Sequence, residues 1–141
     1  MTVTLSAEAR QYLSVFEDVT SVTAVDCIVD DEFDRVVYVV PSDSMGQAIG
    51  PDGERVQRLE ETVGRTVELV EDAATVEAFV ANALAPAAVY NVTISENDDV
   101  VAYVEVDLDD RGVAIGTDGQ NIRAAKTLAD RHYDVDDIQL T

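Results

Sequence analysis

Lysine is almost missing from this chain. Lys126 is the only one, and the 9 basic residues stand against 29 aspartates and glutamates, for a formal net charge of −20. At low salt such a surface repels itself and any polyanion. A single cysteine excludes an internal disulfide, and the setting of Cys27 in the apolar run AVDCIVD marks it as a small buried side chain. His132 is also alone, so neither a structural nor a catalytic zinc site has ligands to draw on. No apolar run is long enough to span a bilayer, and no basic, apolar leader follows Met1, which predicts a cytoplasmic protein away from membranes. There is no Ser-His-Asp spacing and no Walker loop, and in so acidic a chain paired carboxylates carry no information. Neither an enzyme nor a cofactor is expected.

What is present is enough for a packed core, since 47% of the residues are hydrophobic. The acidic residues fall in short groups, DDEFD, EE, ENDD, DLDD and DVDD, at expected hairpins, helix faces and element ends. They describe a solvated surface rather than a tail. A lysine-poor, aspartate-rich composition resembles that of proteins from salt-accumulating halophilic archaea, where the screening length falls to about 3 Å at 1 M salt.

The chain is written twice. Residues 48–53 read AIGPDG and residues 114–119 read AIGTDG, an offset of 66 residues from Ile49 to Ile115. In the first copy, Ala9, Tyr12, Leu13 and Phe16 form a helical stripe with Ser6 as its N-cap. SVTAVDCIVD and RVVYVV then make a hairpin across DEFD. A short helix over 42–49, the GPDG turn, a helix from Gly53 capped by Gly64, and the strand RTVELV complete the unit. In the second copy Asp72 is the expected cap of a helix carrying Val76, Phe79, Val80, Ala83 and Leu84, which Pro86 stops. AAVYNVTIS and VVAYVEV flank ENDD, and a short helix over 109–115, the GTDG turn, a helix through Ile122, Ala125 and Ala129, and a strand over 134–140 follow. The expected architecture is α+β, with two αββααβ modules over residues 1–71 and 72–141. Each should be a three-stranded mixed sheet packed against three helices. No glycine- or proline-rich spacer separates them between Val70 and Ala73.

Two glycines three apart between helices serve a purpose beyond chain reversal. They accept backbone angles closed to other residues, and the second opens a helix whose free N–H groups favour an anion. The purely structural alternative is a type I turn, with Pro51 at its second position and Gly53 at its fourth. Recurrence of both glycines, of the Ala-Ile before them and of the apolar residue three after the second favours a ligand site.

AIGPDGERV and AIGTDGQNI resemble the IGxxGxxI signature of KH domains, and the αββααβ order resembles the type II arrangement. Two such modules filling the chain resemble the archaeal NusA-like transcription termination/antitermination proteins. The resemblance implies that single-stranded RNA lies in the groove between each GxxG loop, its flanking helices and the sheet. It also implies RNA polymerase as a partner. The positions carried over are Ile49, Gly50, Pro51, Asp52, Gly53, Arg55 and Arg58 in the first module. In the second they are Arg111, Ile115, Gly116, Thr117, Asp118, Gly119, Gln120, Asn121, Arg123 and Lys126. No metal site is among them, and a monomer is expected.

One departure matters. Family loops carry lysine or arginine between the glycines, whereas Asp52 and Asp118 place a carboxylate there, which should weaken binding. Against this, seven of the nine basic residues, Arg55, Arg58, Arg65, Arg111, Arg123, Lys126 and Arg131, lie beside the loops or on the helices after them. In the first module, expected Glu54–Arg58 and Glu61–Arg65 pairs account for part of this cluster. In the second, no acid lies between Gly119 and Ala129, so that module should bind RNA better. Near 1 M salt the counterion-release contribution is largely gone, leaving hydrogen bonds, apolar contact at Ile49 and Ile115, and stacking. Two other readings remain open. One is a KH-fold module that docks on polymerase or a ribosomal partner with RNA binding weak or lost. The other is a DNA-binding helix-turn-helix, disfavoured because Glu54, Glu60 and Glu61 occupy the polar face of its recognition helix.

Overall fold

In the computed structural model, which describes residues 6–141, the chain forms two compact units that divide between Asp72 and Ala73. The first begins with α1 (Ala7–Thr20), started by Ser6, whose Oγ accepts the Ala9 N–H at 3.0 Å. β1 (Asp26–Asp30) and β2 (Arg35–Val40) pair antiparallel, with Ile28 opposite Val37. A single 3₁₀ turn leads into the short helix α2 (Met45–Ile49), and α3 (Glu54–Val63) follows the first glycine loop. β3 (Thr66–Glu71) returns parallel to β2, so the order is β1-β2-β3. Phe16 and Tyr38 stack at 4.5 Å in the core between helices and sheet, beside Val36, Val40, Ala48 and Leu59. The Tyr38 hydroxyl donates to the Tyr12 carbonyl at 2.9 Å, and burial raises its pKa.

The second unit repeats this plan with α4 (Val76–Ala83), β4 (Val89–Glu96), β5 (Val100–Val106), α5 (Arg111–Ile115), α6 (Gln120–Tyr133) and β6 (Asp137–Leu140). β4 and β5 are antiparallel, β5 and β6 parallel, and the order is β4-β5-β6. Val80, Leu84, Val104, Ala125, Ala129 and Ile138 fill its core. The described residues thus form two three-stranded mixed sheets with six helices, the α+β arrangement expected from the repeat. Among them no helix is long and apolar enough to cross a membrane.

Three local expectations need correction. Asp72 does not cap α4: the sheet runs on, the Asp72 N–H donates to the Val40 carbonyl, and Thr75 caps instead, accepting from the Ala78 N–H at 3.3 Å. Arg65 does not pair with Glu61. Gly64, at φ 70°, ends α3 one residue earlier and removes the helical spacing that pair requires. Arg65 instead reaches Asp31 at 2.7 Å and Asp34 at 3.5 Å, tying the start of β3 to the β1–β2 turn. The final strand starts at Asp137 rather than 134, because Asp134 is a left-handed cap on α6.

Candidate nucleic-acid interface

The two loops adopt one backbone from two sequences. Gly50 has φ 76° and ψ 172° and Gly116 has 77° and 171°. Asp52 has 54° and 27° and Asp118 has 53° and 27°. Gly53 and Gly119 follow at φ 73° and 78°. Each loop is closed by the second glycine's N–H donating to the first glycine's carbonyl, at 3.2 Å and 3.1 Å. A type I turn would hold its third residue near φ −90°, so with Asp52 and Asp118 left-handed each loop is a hydrogen-bonded turn of another type. This also accounts for the aspartates in physical terms. Among residues with a side chain, Asp and Asn enter the left-handed region most readily, because their short polar groups bond locally. The backbone conformation is by itself a reason for aspartate at both positions.

The first glycine of each loop is needed for close approach. A Cβ on Gly50 would lie 2.8 Å from Arg55 Cγ, and one on Gly116 would lie 2.8 Å from Asn121 Cγ. Those neighbours are latches. Arg55 Nη1–H donates to the Gln47 carbonyl at 2.6 Å, and Asn121 Nδ2–H donates to the Val113 carbonyl at 2.9 Å, each joining the helix after the loop to the helix before it. The second glycine is different, since a Cβ on Gly53 or Gly119 would meet nothing within 4 Å. Pro51, Asp52, Thr117 and Asp118 are exposed, and Ile49 and Ile115 present apolar surface at 37% and 38% exposure. Among the described residues, nothing crowds the second glycine of either loop. The first turns of α3 and α6 bring their main-chain N–H groups to these open faces.

The basic residues divide by role. Arg58 pairs with Glu54 at 2.9 Å, as expected for that spacing, and both side chains are more than half exposed. Arg123 Nη2–H donates to the Asp118 carbonyl at 3.1 Å, which places its guanidinium against the second loop. Arg111 donates to the Thr141 carbonyl at 3.2 Å. Lys126 Nζ lies 3.1 Å from Asp137 on β6. Burial raises the Asp137 carboxyl pKa, but hydrogen bonds from Lys126 and Gln139 outweigh it and leave the group below its ordinary value. The acid-free stretch of α6 is therefore answered by an acid from another element, which spacing along the helix could not reveal. Gln120 opens α6 directly after Gly119. The latches were also missed from sequence, although the offset of 66 aligns Arg55 with Asn121 and Gln47 with Val113.

Comparison with known proteins agrees with this geometry. Residues 10–77 match the KH domain family, and residues 76–141 match the NusA-like second KH domain. The chain is 66% identical over 141 residues to the probable transcription termination protein NusA of Halobacterium salinarum, with both chains covered in full. It is 57% identical over 140 residues to the protein of the same description from Halococcus morrhuae, covering 99% of each. Among solved structures, the crystal structure of APE1850 superposes with a TM-score of 0.84 at 30% identity, covering 97% of this chain and 100% of that one. Two modules of one topology, each with an open GxxG loop, and full-length identity of this degree lead to one conclusion: the chain belongs to the archaeal NusA-like family of transcription termination proteins, built from KH domains in tandem.

Proposed function

We propose that this protein binds single-stranded RNA through both GxxG loops and acts on transcription termination or elongation in the cytoplasm, in contact with RNA polymerase. Its modules span residues 1–71 and 72–141, and it works as a monomer without a cofactor. The supporting observation is the pair of superposable loops whose second glycines, Gly53 and Gly119, face open space beside exposed Ile49 and Ile115. A phosphate fits against the main chain there, while bases meet the apolar residues and the amide-bearing Gln120 and Asn121. Arg123 makes the second loop the stronger site, because its guanidinium already lies against that loop.

Amide chemical-shift mapping with short RNA oligomers in molar KCl tests this. Perturbations should centre on residues 49–58 and 115–126, and Gly119→Asp should remove those of the second module while sparing the first. Affinity should persist in molar salt, because little of it comes from released counterions. A steep loss with added KCl, or no perturbation at either loop, would refute the RNA reading. The second reading, docking on polymerase with RNA binding lost, draws on the exposed carboxylates of Asp52 and Asp118 and on the pairing of Arg58 and Lys126 with acids. An RNA-silent chain that still bound polymerase would establish it.

A further inference from the structure

The second module carries an apolar surface that the first does not repeat. Leu108 is 82% exposed and Tyr90 is 63% exposed. They line one open groove with Val106, and its walls include Glu105, Asp107 and Asp109. The internal offset puts Ser42 where Leu108 stands, whereas the hairpin registers align Asn91 with Asp26, so Tyr90 falls beside the place of Val25, a smaller side chain 43% exposed. Ser42 and Leu108 both open a three-residue 3₁₀ turn ahead of the short helix, so the turn forms equally well with a polar side chain. The fold does not require a leucine in water at that place.

Tyr90 is also held in position. Two steps along β4, from Val89 to Asn91, match one step along β5, from Val106 to Glu105, so Tyr90 has no partner in the ladder. Its hydroxyl donates to one carboxylate oxygen of Asp107, and the other oxygen accepts the Asp109 N–H at 2.9 Å. The hydrogen bond from Tyr90 lowers the Asp107 pKa, and the same bond raises that of Tyr90. A fixed aromatic ring beside an exposed leucine loses little freedom when it is covered, which is the character of an interface anchor.

We propose that this groove docks a short segment of a protein partner in which arginine or lysine alternates with large apolar side chains. The apolar groups would cover Tyr90 and Leu108, and the cations would meet Glu105, Asp107 and Asp109. Charge selects this occupant over two others. A nucleic-acid strand would bring phosphates against three carboxylates, and a second copy of the chain would bring carboxylates against carboxylates. Arg111 stands near one end, with its Nη1–H on the Thr141 carbonyl. In concentrated salt, contact ion pairs and apolar burial survive while longer-range charge effects are screened, so the recognition suits the medium that the composition implies.

The test uses the full chain in molar KCl with a synthetic peptide of alternating arginine and leucine, followed by amide chemical shifts. Perturbations should be confined to Tyr90, Val106, Leu108 and their neighbours and should be unaffected by Gly119→Asp. Leu108→Ser, which installs the side chain that the first module carries, should leave the circular dichroism unchanged and weaken the peptide about tenfold. A glutamate-leucine peptide should not bind. The proposal is overturned if the arginine-leucine peptide perturbs nothing in the groove, if Leu108→Ser binds it equally, or if the glutamate peptide binds as well. Groove perturbation by RNA oligomers with none by the peptide would reassign the surface to nucleic acid. Self-association that Leu108→Ser abolishes would reassign it to a second copy.

Discussion

Asp52 and Asp118 show how a single position can answer to the backbone before it answers to a ligand. At φ 54° and 53° a β-branched residue is strained, whereas aspartate is tolerated and glycine is at ease. Asp118→Val should therefore cost about 1–3 kcal/mol of stability, and Asp118→Gly should be close to neutral. Gly116→Ala should be at least as damaging as the valine variant. It adds a side chain at φ 77° and ψ 171° and drives a Cβ against Asn121. Urea unfolding monitored by circular dichroism gives the ranking, and an Asp118→Val variant as stable as the parent would show that the turn carries no such constraint. The sequence displayed the aspartates as a conflict with RNA binding, because charge can be read from letters. The φ value that explains them cannot.

At the scale of elements, the helices around each loop are joined by latches and the strands by clamps. Arg55 and Asn121 perform one task with different chemistry, reaching back from α3 and α6 to carbonyls of α2 and α5. Arg65 clamps the β1–β2 turn through Asp31 and Asp34. Its pKa is raised, chiefly by the hydrogen bond to Asp31. Arg65→Ala should consequently lower the urea midpoint, and Glu61→Ala should leave it unchanged. Equal effects from the two would restore the helical pair that the i,i+4 spacing suggested. Element types and order were legible from apolar periodicity, down to the Ser6 cap and the Gly64 stop. The Asp72 cap was misread because a sheet hydrogen bond to Val40, remote in sequence, extends the strand's claim on that residue.

At the scale of the molecule, a net charge of −20 on 141 residues opposes compaction wherever charges are unscreened. Raising KCl from about 0.1 M to 1 M shortens the screening length from about 10 Å to about 3 Å, so the thermal midpoint should rise steeply over that range. A midpoint independent of KCl would mean that surface repulsion does not limit stability.

The sequence by itself determined the two-module plan, the strand and helix order and the position of both glycine loops, because periodicity, turn residues and an internal repeat are properties of neighbouring letters. Tertiary structure decided which basic groups are engaged and by what. Asp137 reaches Lys126 from a strand, and the Thr141 carbonyl accepts from Arg111 across 30 residues. It also decided that the second module exposes Tyr90 and Leu108 in one groove. These outcomes depend on which remote segments packing brings within a few ångströms, and no local pattern encodes that distance.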